Sequence, residues 1–186
     1  MMTLIMGGSG SGKSAYAEEY FSGQAADCLC YYIATMKVSD EESLVRVERH
    51  RKLRENRGFL TVEQPVQIEG ALENMGGCAK KNAALVECLS NLVANEMFSG
   101  EAVQEAMELE TRLLEGFTLL KRQTAHLVVV TNNVFEDGLC YEEGTLAYIR
   151  VLGRLNQRLA QLSDRVIEVV AGIPVLVKGE KKDEIS

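Results

Sequence analysis

The sequence has no tryptophan, only two prolines and only two histidines. Two histidines far apart in sequence are too few for an imidazole-based metal centre. Cysteine is sparse and odd in number, five in all, which argues against a disulfide framework. Cys28 and Cys30 form a C-x-C, but without further ligands they read as reduced thiols on one strand face. No apolar run approaches the ~20 residues needed to span a bilayer. The opening Met1-Met-Thr-Leu-Ile-Met6 has no basic flank and is too short for a signal peptide, so a cytoplasmic protein is expected. Positive charge is also short: the net charge is −7, which argues against a broad nucleic-acid surface. The 186 residues suit one domain with a full core, and no linker or internal repeat divides them.

Against these absences one stretch stands out. Gly7-Gly-Ser-Gly-Ser-Gly-Lys-Ser14 fits G-x-x-x-x-G-K-[ST], the phosphate-binding loop of nucleoside triphosphatases. Gly7, Gly8, Gly10 and Gly12 let the backbone curl and turn its N–H groups, with those of Ser9 and Ser11, toward phosphate oxygens. A helix starting near Lys13 adds the positive end of its dipole. Lys13 is expected on the outer phosphates and the Ser14 hydroxyl on Mg2+. The loop follows an apolar run and precedes a helix-forming run, the context this chemistry requires.

Beyond the loop, strands alternate with helices. A helix is expected over 15–21 and strands over 29–35 and 59–63. Ser39 and Glu42 form a capping box for a helix reaching about Arg57. A helix over 66–75, a strand over 83–89, helices over 91–98 and 101–123, and a strand over 126–132 follow. A helix over 143–163, strands over 165–170 and 175–178, and a frayed tail over 179–186 complete the chain. Alternation of this kind predicts an α/β fold with a mostly parallel sheet and helices on both faces. Ligands in such sheets collect at the C-terminal strand ends, here Gly7, Thr35, Leu89 and Asn132.

Three further positions carry candidate chemistry. Arg46, His50 and Arg54 are spaced four apart on one helix face, inside a basic island of an acidic chain. Neighbouring cations disfavour imidazolium, leaving a lone pair free to attack phosphorus. The plainer reading is a polar surface histidine. Glu87 is an acid within an apolar strand; such acids often help hold Mg2+ in phosphate-loop proteins. Glu63 ends a short extended segment and could accept from a ribose or base. Gly153-Arg-Leu-Asn-Gln157 is a polar patch in a helical run, with a glycine suited to close backbone approach.

Together these pieces resemble one family. They are the loop with Tyr16-Ala-Glu18, then Tyr32-Ile-Ala-Thr-Met36, Asp40-Glu-Glu42, Arg46-Val-Glu-Arg-His-Arg51 with Arg54, and Thr61-Val-Glu63. Val86-Glu-Cys-Leu89 with Asn95, Val130-Thr-Asn132, Gly153 to Ala160 and Val170-Ala-Gly-Ile-Pro174 follow in order. The set resembles the bifunctional adenosylcobinamide kinases / adenosylcobinamide-phosphate guanylyltransferases of cobalamin biosynthesis. The resemblance implies a RecA-like P-loop fold and a homotrimer. It implies phosphorylation of adenosylcobinamide by ATP or GTP, then transfer of GMP from GTP, through a guanylylated histidine, to adenosylcobinamide phosphate. That histidine falls on His50, beside Lys13 as the catalytic pair. Implied nucleotide contacts fall on Gly7 to Ser14, on Thr35, Met36 and Lys37, on Arg51, Lys52, Leu53 and Arg54, and on Glu63 and Glu87. Ser14 and Glu87 are the implied metal ligands. One departure is visible: the family's usual Glu-Val-Gly and following Gly-x-x-Pro are replaced by Asn133-Val-Phe-Glu-Asp-Gly-Leu-Cys-Tyr141. Two other readings fit the loop. One is a small-molecule kinase with no covalent intermediate; the other is a nucleotide-gated binding module.

Overall fold

The computed structural model describes residues 1–25, 27–37, 58–76, 81–98, 106–133 and 142–180. Seven strands form one sheet: β1 (Met2–Gly7), β2 (Leu29–Ala34), β3 (Leu60–Glu63), β4 (Asn82–Glu87), β5 (His126–Asn132), β6 (Arg165–Val170) and β7 (Ile173–Lys178). Their order is β3-β2-β4-β5-β1-β6-β7. All pairings are parallel except β6 with β7. The described helices are α1 (Lys13–Gln24), α2 (Leu89–Phe98), α3 (Ala106–Gln123) and α4 (Glu143–Leu162).

The central strands are buried on both faces, so they read as continuous apolar runs rather than alternating ones. In β1, Leu4 joins one core cluster and Ile5 the other. The larger cluster packs the sheet against α2, α3 and α4 through residues such as Leu92, Leu113, Phe117 and Leu155. The smaller one seats α1 through Ala17 and Phe21 against Ile5, Val128 and Val130. Each fully buried leucine or phenylalanine here contributes about 1.5–3 kcal/mol. Helices therefore cover both faces, as the alternation of elements predicts.

Several elements differ from the sequence expectation. Strand β4 ends at Glu87, not at 89, and Leu89, expected as a strand exit, is the first residue of α2, expected from 91. The segment over 66–75 is not an α-helix but a 3-10 turn at Ile68–Asn74. Gln67, just ahead of it, sits in the left-handed region at φ 51, and its N–H donates to Glu96 Oε1 at 2.7 Å. Gly116 of α3 packs so closely on the turn that a Cβ there would lie 2.7 Å from Ile68 Cγ2. Strand β7 begins at Ile173, not at 175, and so includes Pro174. Its edge position tolerates a residue without an N–H. Helix α1 starts at Lys13, as the phosphate-loop reading expects, with Gly12 at φ 86 in the left-handed cap position, but it runs to Gln24, past the end expected at 21.

Glu96 also draws α2 to α3 through a two-pronged contact with Arg112, at 3.2 and 2.8 Å. The capping box at Ser39, the basic island and His50 lie outside the described residues, as does the tail beyond 180.

Candidate active site

The loop after β1 is shaped by its glycines and braced on both sides. A Cβ on Gly7 would meet Ser11 Oγ and the Val169 carbonyl at 2.6 Å each, so only glycine fits. Gly10 and Gly12 take φ of 72 and 86. Gly7 O accepts from Asn133 N at 3.1 Å on the β5 side. Ser11 O accepts from Gly172 N at 2.8 Å on the β6 side. Ser11 Oγ is buried with no hydrogen-bond partner among the described residues, an atom a phosphate oxygen would satisfy. Ser9, exposed at the crest, and Gly8 complete the curl.

Lys13 is only 9% exposed and its ammonium donates to Gly8 O at 3.1 Å, across the mouth of the loop. Ser14 Oγ donates to Glu87 Oε1 at 2.5 Å. The loop helix and the exit of β4 thus bring a hydroxyl and a carboxylate together, although the residues are 73 apart in sequence. An all-oxygen pair fits Mg2+, which binds through one or two protein oxygens and completes its shell with phosphates and water. No cluster of three or more His, Cys, Asp or Glu able to hold a metal occurs among the described residues.

Polar side chains tie the strand ends into one platform. Thr35 Oγ1 accepts from Cys88 N at 2.7 Å and donates to Cys88 O at 2.8 Å. Asn95 donates to Thr35 O at 2.7 Å and to Pro65 O at 2.9 Å, so α2 fixes the exits of β2 and β3 together. Thr35 is fully buried and serves as an anchor; Met36 is half-buried and Lys37 exposed just beyond it. Glu63 is exposed at the end of β3, paired in register with Ala34. Four strand spacings separate β3 from β1, about 19 Å. The structure therefore joins Ser14 and Glu87 directly, sets Lys13 across the mouth of the same loop, and leaves Glu63 at the far end of the same edge.

A second network lies beside the first. Asn132 Nδ2 donates to Ser90 Oγ at 2.8 Å, and Ser90 Oγ meets Cys88 Sγ at 2.9 Å. The Tyr148 hydroxyl donates to Ser90 O at 3.2 Å. Burial pushes the Tyr148 phenol up to about 12 and raises the Cys88 thiol as well, so both stay protonated at neutral pH. Asn156 accepts from the Thr131 hydroxyl at 2.8 Å and donates to Asn132 O at 3.3 Å. These groups orient the exit of β5. Ser90 and Tyr148 carry no motif and are invisible in the sequence. Asn156 does carry a signal: it occupies a buried position of the α4 stripe between Leu152 and Leu159. His126 opens β5 at the opposite end of the strand from Asn132. His50, Arg51, Lys52, Leu53 and Arg54 lie outside the described residues.

Residues 3–177 match the family model described as Cobinamide kinase / cobinamide phosphate guanyltransferase. The bifunctional adenosylcobalamin biosynthesis protein CobU of Salmonella typhimurium is 34% identical over 190 residues, covering 96% of this chain and all of that protein. CobU of Escherichia coli is 32% identical with the same coverage. The CobP protein of Pseudomonas aeruginosa is 31% identical over 97% of this chain and 99% of its own. Among solved structures, the flagellar accessory protein FlaH of Methanocaldococcus jannaschii superimposes with a TM-score of 0.52 at 13% identity. It covers 96% of this chain and 78% of that one, a likeness of fold alone. Among the described residues no helix is long and apolar enough to cross a membrane.

Proposed function

The chain belongs to the cobinamide kinase / cobinamide phosphate guanyltransferase family, and from that premise we propose how its residues divide the two reactions. Members of the family transfer a phosphoryl group to adenosylcobinamide and GMP to adenosylcobinamide phosphate. The observation that carries the reading is the intact loop, with Lys13, Ser14 and Glu87 assembled, in a chain matched to the family over residues 3–177.

In the kinase step, the loop N–H groups and Lys13 hold the triphosphate of ATP or GTP. The acceptor hydroxyl oxygen forms a bond to the γ phosphorus. The bond to the β-phosphate oxygen breaks, and the hydroxyl proton leaves. Bound Mg2+ would neutralise charge on the outer phosphate oxygens, and Ser14 and Glu87 are the residues to hold it.

In the guanylyl step, an imidazole nitrogen of His50 attacks the α phosphorus of GTP and pyrophosphate leaves, giving a phosphoramidate. Arg46 and Arg54, four positions to either side in sequence, are assigned to draw phosphate oxygens to it. A phosphate oxygen of adenosylcobinamide phosphate then takes the GMP. The P–N bond breaks, adenosylcobinamide-GDP departs and the imidazole is restored. Arg51 to Arg54, Met36 and Lys37, and Glu63 are assigned to the guanosine end of this site. We assign the enzyme to the cytoplasm and to a homotrimer, on the family likeness.

The test supplies adenosylcobinamide, Mg2+ and GTP, with and without ATP, to the purified chain and separates the corrinoid products. Adenosylcobinamide phosphate followed by adenosylcobinamide-GDP is expected. Phosphate alone would make the chain a simple kinase, and nucleotide binding without turnover would make it a binding module.

A further inference from the structure

Thr35, the residue after β2, has every polar group engaged within the protein. Its N–H donates to Glu87 O at 3.0 Å. Its hydroxyl accepts from Cys88 N at 2.7 Å and donates to Cys88 O at 2.8 Å. Its carbonyl accepts from Asn95 Nδ2 at 2.7 Å. The residue is fully buried. The family resemblance places Thr35 among the nucleotide contacts, yet its hydroxyl hydrogen is already committed to Cys88.

Two of these bonds converge on one peptide unit. Glu87 O and Cys88 N belong to the same amide, the one that follows the Glu87 Cα. Thr35 holds it at both ends, with its N–H on the oxygen and its hydroxyl oxygen on the nitrogen. The amide lies where the sheet gives out. The ladder from β4 to β5 stops at Val86, while Glu87 keeps a register partner, Ala34, on the β2 side. The strand fixes the amide before Glu87, and Thr35 fixes the one after it. Together they limit rotation about the Glu87 Cα and so decide where its Cβ points. The carboxylate at the end of that side chain is the one that meets Ser14 Oγ at 2.5 Å. Mg2+ demands near-ideal octahedral geometry, so a small displacement of a ligand oxygen is felt in its affinity. Groups that orient a metal ligand therefore tune the metal without touching it.

We propose that Thr35 is a positioning residue for the metal: its hydroxyl, acting through the Glu87–Cys88 amide, aims the Glu87 carboxylate at the Mg2+ carried by the nucleotide. The inference rests on Ser14 and Glu87 being the residues that hold Mg2+. It adds that Thr35 serves the nucleotide through that metal and not by contact. A threonine that only stabilised the strand ends would act alike on nucleotide binding with and without metal.

Calorimetric titration of ATP tests this, once in excess Mg2+ and once in EDTA. The ratio of the two dissociation constants is the gain the metal gives. Thr35→Val keeps the side-chain shape and removes the hydroxyl. In it the gain is expected to shrink about tenfold, the low end for a group that orients a metal ligand, while the metal-free constant stays within about twofold. The metal-free titration also reports that the loop is folded. Thr35→Ser, which keeps a hydroxyl, is expected to retain the parent's gain. Glu87→Gln is expected to shrink the gain too, and Thr35→Val/Glu87→Gln to lose no more than Glu87→Gln alone, since both changes act on one ligand. Four results would overturn the proposal: an unchanged gain in Thr35→Val, an equal loss with and without metal, a loss in Thr35→Ser as large as in Thr35→Val, or additive losses in the double variant. A parent that binds ATP equally in Mg2+ and EDTA would instead sink the metal site beneath it. A parent that binds ATP in neither would sink the phosphate-loop reading itself.

Discussion

Replacing Asn156 by leucine isolates the polar clamp at the exit of β5. Asn156 is 6% exposed and Thr131 fully buried, so water cannot replace the partner each would lose. The substitution keeps the apolar surroundings of Val151, Leu152, Leu155 and Leu159 on the α4 stripe. It leaves the Thr131 hydroxyl, now held at 2.8 Å, without its acceptor. An orphaned buried hydroxyl costs about 1–3 kcal/mol. The longer bond to Asn132 O, at 3.3 Å, adds about 0.5 kcal/mol. The expected loss is about 2–3 kcal/mol. With a urea m-value near 2 kcal/mol per M, the midpoint falls by about 1 M at unchanged slope. Thr131→Val alone strands the Asn156 oxygen and should cost a similar amount. The double variant has no orphan hydroxyl or amide oxygen at this contact, so a double-mutant cycle should return about 1–2 kcal/mol of coupling. Additive losses, or a neutral Asn156→Leu, would show that the clamp does not hold the strand end.

Other outcomes follow from the same geometry. Lys13→Ala should lower both corrinoid phosphorylation and GMP transfer by two to three orders of magnitude, roughly the loss expected for a donor aimed at developing charge, read from initial rates. A loss confined to one reaction would mean that the loop serves only that one. Gly7→Ala forces a Cβ to within 2.6 Å of the Val169 carbonyl and should destabilise by about 1–3 kcal/mol, measured by thermal unfolding, while weakening tripolyphosphate binding. Burial pushes the Asp164 carboxyl up, but the Met2 N–H, Lys121 and the N-terminal ammonium together hold it below its ordinary value. Its folded pKa being depressed, the stability it contributes is present above the unfolded value and is lost as pH falls below about 4. At a largely exposed site this is under about 1 kcal/mol. Asp164→Asn should therefore narrow the difference in urea midpoint between pH 7 and pH 3.

The sheet and the phosphate loop were legible because their signals are local. The run Met2–Gly7, four glycines and Lys13-Ser14 stand side by side, and β5 is a continuous run of β-formers. Glu87 was legible for a different reason: a lone acid in an apolar strand has to be explained. The 3-10 turn at Ile68–Asn74 was not. Its composition favours a helix, but the turn is held by groups distant in sequence: the Gln67 N–H donates to Glu96, 29 residues away, and Ile68 packs on Gly116 of α3. The early start of β7 was obscured by Pro174, which reads as a breaker until the strand is known to be an edge. Ser90 and Tyr148 acquire their roles only when α2 and α4 meet beside β5, a contact no window of sequence contains.

The most direct measurement incubates the full chain with GTP labelled at the α phosphate and follows the protein by denaturing gel and intact mass. The account predicts a covalent GMP adduct, labile to acid and stable to base, present in the parent and absent in His50→Ala. Equal labelling of His50→Ala, or a parent that turns over GTP on adenosylcobinamide phosphate with no adduct in a rapid-quench time course, would contradict it.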